Sequence, residues 1–383
     1  DAPRRRELHL QVGEHMLSRR GEEQLESCCD HLLRAGAGDR AVSLALRAGE
    51  RLEAAYCFER AADLYERALA AGGDEPDRRR VMDRLSAVYE VTGHLDRALV
   101  HAERCRGDSA DDDALALRIA HLQLARGDYA AARAELDALG SRAEREGARP
   151  GLRARVRADT AWALYLAGEL EPALELAEQA LLAHAAVEPE SLRVRLSLQN
   201  TVGKIHLDRG EQERAREHFA ANLEAARSAG LPGEEVLALI QLGLVAASAD
   251  EFVAAERGYL QALDRAEAIG EHRYLGGCLQ HLGVLAERRG RFGEALELYQ
   301  RAVGVWKKVW LRSYLAWVAG DLGKLYARLG HVERARAMVG LVERMSDREP
   351  PAGAQINLEL LRGSIARHDC DFAEAGRRFE SAR

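Results

Sequence analysis

Residues 282–302, LGVLAERRGRFGEALELYQRA, contain the pattern that decides the fold. A small residue in a first helix precedes a turn residue, an aromatic residue and an Ala–bulky–Ala series, namely Gly283, Gly290, Phe292, Ala295, Tyr299 and Ala302. Two antiparallel helices cross closely only where a side chain is very small, and a glycine turns the chain between them. The stretch therefore predicts one helix–turn–helix unit in which Tyr299 fills the space beside the crossing.

The same pattern recurs along most of the chain. The small residue falls at positions 49, 86, 120, 161, 203, 243, 283, 323 and 363, and the last four steps are all 40 residues. In the unit before 282–302, Asp250 takes the turn position. We therefore predict nine units, near residues 45–78, 82–112, 113–146, 154–187, 196–229, 236–269, 276–309, 316–349 and 356–383.

Composition agrees with an all-α fold and limits the function classes. Ala, Leu, Arg and Glu dominate, while aromatics make up 5% and Pro only 8 residues. The formal charge of −7, with both signs interspersed, disfavours nucleic-acid binding. No stretch has the length and apolarity of a membrane span, and six scattered cysteines are typical of a reducing cytoplasm. The start at Asp1-Ala2-Pro3, without an initiator Met, suggests a fragment of a longer protein.

Over about residues 41–383 the pattern resembles the tetratricopeptide repeat family. Its consensus unit has about 34 residues, so most units here are longer, and most lack the first-helix Trp. The resemblance implies a right-handed α-solenoid whose first helices line a concave, non-catalytic, protein-binding face. Long units of this kind resemble those of kinesin light chains, polarity adaptors and sensor arms of bacterial signalling ATPases.

Residues 1–40 differ from the repeats and predict two amphipathic helices, near 5–18 and 21–35. The string from His31 to Gly36, with Ala48-Gly49-Glu50 and residues 61–69, is similar to the segment after the P-loop ATPase module of bacterial signalling proteins. These proteins include large LuxR-type regulators and serine/threonine kinases fused to a STAND-type ATPase. The resemblance implies a nucleotide-binding domain upstream. The alternative is a capping pair, which any helical repeat array needs.

Known catalytic, cofactor and metal motifs do not occur in the sequence. The Gly-Lys pairs at 203–204 and 323–324 lack phosphate-loop spacing, and their glycines occupy the crossing position. His368-Asp369-Cys370 would lie side by side on a predicted turn, where consecutive residues rarely converge on one substrate. Cys28, Cys29 and His31 match no standard zinc spacing. We predict no enzyme, no cofactor and no metal site.

Candidate partner-binding residues are the inward positions that are reached by stepping three or four residues along each first helix. They are Arg155, Trp162, Tyr165, Asn200, Lys204, Ile240, Leu244, Gln280, Trp317 and Lys324. Trp310 joins them because residues 304–317 hold three of the four tryptophans, and Trp is enriched at binding hot spots. The alternative is that these tryptophans, Ile240 and Leu244 only pack between helices. Three asparagines in the chain are too few for the family's best-known peptide-carboxylate pocket.

The leading hypothesis is a cytoplasmic interaction and sensor module of a larger bacterial signalling protein. A peptide, helix or regulator would lie along the concave face, and a nucleotide-binding domain in the same chain would receive the signal. The alternative is a stand-alone adaptor with no ATPase or kinase in cis. An enzyme with an unfamiliar site would need a reactive pocket that the sequence does not offer.

Overall fold

The computed structural model describes residues 2–20, 24–72, 74–106, 112–145, 150–183, 189–308, 312–345 and 352–382. Within these ranges the chain contains helices and no β-strand, which confirms the all-α prediction. None of the helices in these ranges has the length and apolarity needed to cross a membrane.

Twenty helices occur in the described part of the chain, and from α3 onward they form successive first and second helices. Their bounds are α1 Ala2–Arg20, α2 Leu25–Ala35, α3 Gly38–Ala54, α4 Phe58–Ala70, α5 Glu75–Val91, α6 Leu95–Arg106, α7 Asp113–Arg126, α8 Tyr129–Arg145, α9 Pro150–Leu166, α10 Leu170–Ala183, α11 Pro189–Asp208, α12 Gln212–Ser228, α13 Pro232–Ser248, α14 Phe252–Ile269, α15 His272–Arg288, α16 Phe292–Lys308, α17 Arg312–Arg328, α18 Val332–Met345, α19 Ala352–His368 and α20 Phe372–Ser381.

The helix crossings follow the predicted rule that a small residue of the first helix faces an aromatic ring of the second. A Cβ added at Gly283 would lie 2.6 Å from the Tyr299 ring, and one at Gly243 would lie 2.5 Å from Tyr259. The same contact occurs in three further pairs: Gly49 with Tyr65, Gly203 with Phe219 and Gly363 with Phe379. Because real Cβ atoms do not approach so closely, glycine sets the helix spacing at these crossings.

The crossing at Gly323 is built differently. A Cβ there would meet Leu361, at 2.6 Å, and Met338, at 3.0 Å, instead of an aromatic ring. The reason is that α18 carries Val339 where the neighbouring second helices carry an aromatic residue. Side chains from α18 and α19 together fill the space.

The turns between paired helices use a left-handed residue, as the sequence predicts. The predicted turn glycines include Gly210, with φ 76°, and Gly290, with φ 73°. Tyr56 has φ 56°, Asp250 has φ 60° and Cys370 has φ 62°, so three non-glycine residues among those described take the same conformation. The turn position assigned to Asp250 is therefore confirmed.

Contacts divide the chain into two compact units, Asp1–Leu122 (unit 1) and Gln123–Arg383 (unit 2). In unit 1, α1 packs on α2 and α2 on α3, close to the helix bounds predicted for residues 1–40. In unit 2, the core combines rings such as Tyr259, Tyr299 and Trp306 with buried leucines and alanines. A separate cap at residues 1–40 and a repeat domain at residues 41–383 stay predictions.

Candidate partner-binding surface

The predicted binding residues lie on α9, α11, α13, α15 and α17 of unit 2, and we call this set the first-helix face. It comprises Arg155, Trp162, Tyr165, Asn200, Lys204, Ile240, Leu244, Gln280, Trp317 and Lys324. Contacts join α9 to α11 and α13 to α15. Trp310 lies outside the described residues, so its prediction has no structural counterpart.

Trp162, Tyr165, Lys204 and Asp208 form one cluster between α9 and α11, the α9–α11 cluster. The Trp162 and Tyr165 rings stack with their centroids 5.1 Å apart, and the Lys204 Nζ lies 5.8 Å from the Trp162 ring centroid. The Tyr165 hydroxyl donates a 2.8 Å hydrogen bond to an Asp208 oxygen. An ammonium over a tryptophan face is attracted by the ring's quadrupole.

Lys204 is partly buried without a full counter-charge. Burial lowers the pKa of its ammonium, and Asp208 acts weakly in the opposite direction. Within the described residues, no carboxylate lies within salt-bridge distance of Lys204. Burial also lowers the pKa of His281 to about 4, so this nearby imidazole is neutral at pH 7. Lys204 therefore carries a positive charge that, among the described residues, only the more distant Asp208 carboxylate offsets in part.

Gln280 and Lys324 belong to a second cluster, the α15–α19 polar cluster, centred on Asp321. The Asp321 carboxylate accepts hydrogen bonds from Gln280 Nε2 at 2.5 Å and from Asn357 Nδ2 at 3.2 Å. The Lys324 Nζ lies 3.0 Å from Asp321 Oδ1 and donates to Asn357 Oδ1 at 2.9 Å. Since its partners are all in the chain, Lys324 is a structural cation.

The apolar members of the first-helix face differ in exposure. Ile240 is 7% exposed and belongs to the core, and Leu244 packs partly against the core. The packing alternative therefore describes Ile240, whereas Leu244 keeps some exposed surface. Trp317 is 47% exposed, and the neighbouring Tyr314 is 40% exposed.

Trp306, which the sequence groups with Trp310 and Trp317, is a packing residue. It is 1% exposed, and a Cβ at Gly276 would lie 2.2 Å from its indole ring. Trp306 belongs to α16 and Trp317 to α17, so the two rings lie on different helices. For Trp306 the structure favours the packing interpretation over the hot-spot interpretation.

Arg155 and Asn200 lie apart from the α9–α11 cluster, in the wall of a cavity of about 270 Å³. Helices α9, α11, α12 and α13 surround this cavity. Arg155 Nε also pairs with Asp159 Oδ2 at 3.1 Å. The structure thus separates the predicted set into an aromatic–cationic surface, a closed polar cluster and a cavity.

The motifs that could have carried chemistry have ordinary structural roles. Cys370 is exposed on the turn between α19 and α20, and His368 Nδ1 lies 3.9 Å from Asp369 Oδ1. Cys28 and Cys29 are buried, and burial raises the pKa of Cys29 to about 12, which disfavours a metal-binding thiolate. Among the described residues, no group of three His, Cys, Asp or Glu side chains could hold a metal ion.

A sequence model described as tetratricopeptide repeat matches residues 234–308 and 277–345. The matched residues cover the helix pairs from α13 to α18, where the crossings and turns follow the pattern described above. Residues 234–345 are tetratricopeptide repeats.

Solved structures with tetratricopeptide-type folds are similar to a larger part of the chain. A Rap protein complexed with competence and sporulation factor matches with TM-score 0.58 and 15% identity, covering 90% of this chain and 97% of its own. The apo quorum sensor NprR from B. thuringiensis matches with TM-score 0.54 and 14% identity, covering 90% and 99%. At these identities the likeness shows the fold.

A third structure is a signal transduction ATPase with numerous domains (STAND) that has a tetratricopeptide repeat sensor, from Pyrococcus horikoshii. It matches with TM-score 0.52 and 15% identity, over 89% of this chain and 52% of its own. No curated protein sequence matches the chain significantly.

Several residues that shape the candidate binding surface were not predicted from the sequence. They are Asp208 and Asp321, which partner predicted residues, and Arg193, Asn222 and Glu234, which line the cavity. Asp321 follows Gly320 on a first helix otherwise rich in apolar residues, and a polar residue at a buried helix position was a usable signal. The cavity residues come from three helices and share no local pattern.

Proposed function

We propose that the chain is a non-enzymatic protein-interaction module whose first-helix face in unit 2 holds a protein or peptide segment. The α9–α11 cluster carries this proposal. It combines exposed parts of two stacked aromatic rings with an ammonium that has no carboxylate within salt-bridge distance in the described part of the chain. Burying the Lys204 ammonium costs free energy, and this cost is relieved when a partner supplies a hydrogen-bond acceptor.

The surface favours an acidic, amphipathic partner segment. A carboxylate of the partner would pair with Lys204, and apolar side chains would pack on Trp162, Leu244 and Trp317. Amphipathic segments that dock into grooves use a few apolar anchors in this way. Exposed charges at the edge of a binding surface contribute less to affinity than such apolar anchors do.

The structural relatives support a role in signal recognition. The Rap protein is complexed with competence and sporulation factor, NprR is a quorum sensor, and the Pyrococcus horikoshii protein uses its tetratricopeptide repeats as a sensor. By analogy we propose a sensor module of a bacterial signalling protein that acts in the cytoplasm. The analogy is one of fold, so the chemistry of the α9–α11 cluster remains the main argument.

Two arrangements of the whole protein are compatible with this role. The match to only 52% of the STAND protein supports a sensor arm attached to a nucleotide-binding domain. The matches to 97% and 99% of the Rap and NprR chains support a stand-alone adaptor. Sequencing the gene outward from both ends distinguishes them: a P-loop ATPase before Asp1 supports the first, and an initiator Met directly before Asp1 supports the second.

The binding role is tested by selecting peptides from a random phage-displayed library on the immobilised chain. Enriched peptides are then labelled, and their affinities are measured by fluorescence polarisation. We expect peptides that combine acidic and apolar residues. Trp162→Ala and Lys204→Gln should each weaken binding by about tenfold or more, which corresponds to about 1.4 kcal/mol.

The matched control is Phe372→Ala, because Phe372 is 69% exposed but lies on the second helix α20. Binding to this variant should equal binding to the wild type. The proposal fails if no peptide is enriched, or if the Trp162 and Lys204 variants bind as well as the Phe372 variant.

A further inference from the structure

The cavity between α9, α11, α12 and α13 has features of a binding site that the α9–α11 cluster does not use, although two members of the first-helix face, Arg155 and Asn200, line it. Its volume is about 270 Å³. One part of the wall is apolar and the other is polar: the lining comprises Val194, Leu196, Leu237 and Ala238, and Arg155, Arg193, Ser197, Asn200, Asn222 and Glu234. Apolar walls with a few convergent polar groups are typical of small-molecule sites.

Asn222 provides a buried hydrogen-bond acceptor without a partner. The residue is 7% exposed, and its Nδ2 donates a 3.0 Å hydrogen bond to the Leu196 carbonyl oxygen. This bond assigns the amide orientation, so the remaining group is the Oδ1 acceptor, which has no hydrogen-bond partner among the residues that the structure describes. Buried polar atoms are nearly always paired, and an orphan in a cavity wall is therefore a candidate ligand contact.

The cavity wall also presents both signs of charge. Arg193 Nη1 lies 4.0 Å from Glu234 Oε1, a loose ion pair whose groups are accessible to a ligand. Arg155 adds a second guanidinium, whose charge is offset by Asp159. The lining thus contains a cationic and an anionic group a few ångströms apart, with little net charge.

We propose that this cavity binds a zwitterionic ligand of the α-amino acid class. The Arg193 guanidinium would pair with the ligand carboxylate, and Glu234 together with Asn222 Oδ1 would accept hydrogen bonds from the ligand ammonium. Val194, Leu237 and Ala238 would contact the ligand's side chain. A volume of about 270 Å³ is at the low end for ligand pockets and suits a ligand as small as a free amino acid.

This proposal does not depend on the peptide-binding role. The cavity residues Arg193, Asn222 and Glu234 are not part of the α9–α11 cluster, and the variants that test the two proposals are different. Loss of peptide binding in a Trp162 variant leaves the cavity proposal unaffected, and the reverse also holds.

The test is isothermal titration calorimetry on the whole chain with each of the twenty common amino acids. We expect at least one to bind with a Kd below about 1 mM. The N-acetyl and the carboxamide derivatives of that amino acid each lack one charge. Both should bind about tenfold more weakly or worse, because each leaves one charged group of the cavity unpaired.

Two variants link the binding to this cavity. Arg193→Gln and Glu234→Gln should each weaken binding of the amino acid by about tenfold or more. The matched control is Arg216→Gln, which removes a different ion pair of unit 2, the 3.0 Å contact between Arg216 and Glu251. All three residues are partly exposed, so their substitution should leave the fold intact, as circular dichroism would verify.

The proposal is overturned if no amino acid binds at concentrations up to about 10 mM. It is also overturned if the Arg193 and Glu234 variants bind as tightly as the Arg216 control. Equal binding of the N-acetyl derivative would contradict the assigned role of Glu234 and Asn222.

Discussion

Lys204 and Lys324 occupy the same position in two repeats, yet their surroundings give them different roles. Each follows a crossing glycine, Gly203 or Gly323. Lys324 is paired with Asp321 and Asn357, whereas Lys204 lies over Trp162 with no carboxylate at salt-bridge distance among the described residues. The difference arises because Thr201 and Leu237 occupy the sequence positions relative to Lys204 that Asp321 and Asn357 occupy relative to Lys324.

Substitution by the isosteric, uncharged methionine should reveal this difference in stability. Lys324→Met leaves the buried Asp321 carboxylate without its cation and should lower the free energy of unfolding by about 1.5–3 kcal/mol. Lys204→Met removes a partly buried, unpaired charge and should change the free energy of unfolding by less than about 1 kcal/mol. Urea unfolding followed by circular dichroism measures both. Equal losses would contradict the assigned roles.

The charge of Lys204 also predicts a pH dependence of stability. Burial lowers its pKa in the folded chain below the ordinary lysine value of 10.5, so the unfolded chain binds more protons between the two pKa values. Stability therefore rises as pH increases through the interval just below 10.5. The difference in stability between wild type and Lys204→Met isolates this contribution and should move in favour of the wild type in that interval. A pH-independent difference would show that burial does not affect Lys204.

Two glycines of α15 provide a matched test of the crossing rule. A Cβ at Gly283 would lie 2.6 Å from the Tyr299 ring, so Gly283→Ala should destabilise the chain by about 1–3 kcal/mol. A Cβ at Gly277 meets nothing within 4 Å, so Gly277→Ala should stabilise it by about 0.5–1 kcal/mol. Thermal unfolding of the two variants measures both effects, and a stable Gly283→Ala variant would refute the rule.

The turns that join paired helices share one left-handed conformation, although the type of residue at the turn position varies. Gly290 and Gly330 take the left-handed conformation without strain, while Asp250 and Cys370 take it as non-glycine residues. Asp250 gains a compensating 2.7 Å ion pair with Arg288. Cys370 has no comparable charged contact, and its turn is therefore the more strained of the two.

Cys370→Gly should stabilise the turn between α19 and α20 by about 1 kcal/mol, because glycine removes the left-handed penalty. Asp250→Gly should stabilise its turn by less than Cys370→Gly does, since it also breaks the ion pair with Arg288. Hydrogen exchange of the α20 amides measures the first effect locally, and urea unfolding compares both. Slower exchange in Cys370→Gly is expected; faster exchange would show that the turn is not strained.

Prediction from sequence succeeded where the determinant lies within one helix pair. Gly283 with Tyr299, and the turn at Asp250, are local relations with constant spacing, and the structure confirms them. Prediction from sequence was incomplete where three or more helices meet. Asp321 joins α15, α17 and α19, and the cavity around Asn222 joins α9, α11, α12 and α13, so these contacts depend on how successive pairs pack.

The chain as a whole divides into unit 1 and unit 2, and the residues proposed for binding belong to unit 2. Repeat proteins distribute stability over neighbouring units, so changes to one surface need not disrupt distant repeats. This property makes unit 2 suitable for point substitutions that separate binding from folding. It also allows the peptide surface and the amino acid cavity to be tested independently in the same full chain.

The central claim is that a partner segment lies on the first helices of unit 2. Photo-crosslinking with a display-selected peptide tests it most directly. Benzoylphenylalanine is placed at Leu244, on the first helix α13, or at Leu260, on the second helix α14. The peptide should crosslink through position 244 and not through position 260, although Leu260 is 46% exposed. Crosslinking through 260 alone would place the partner on the second helices and contradict the proposed function.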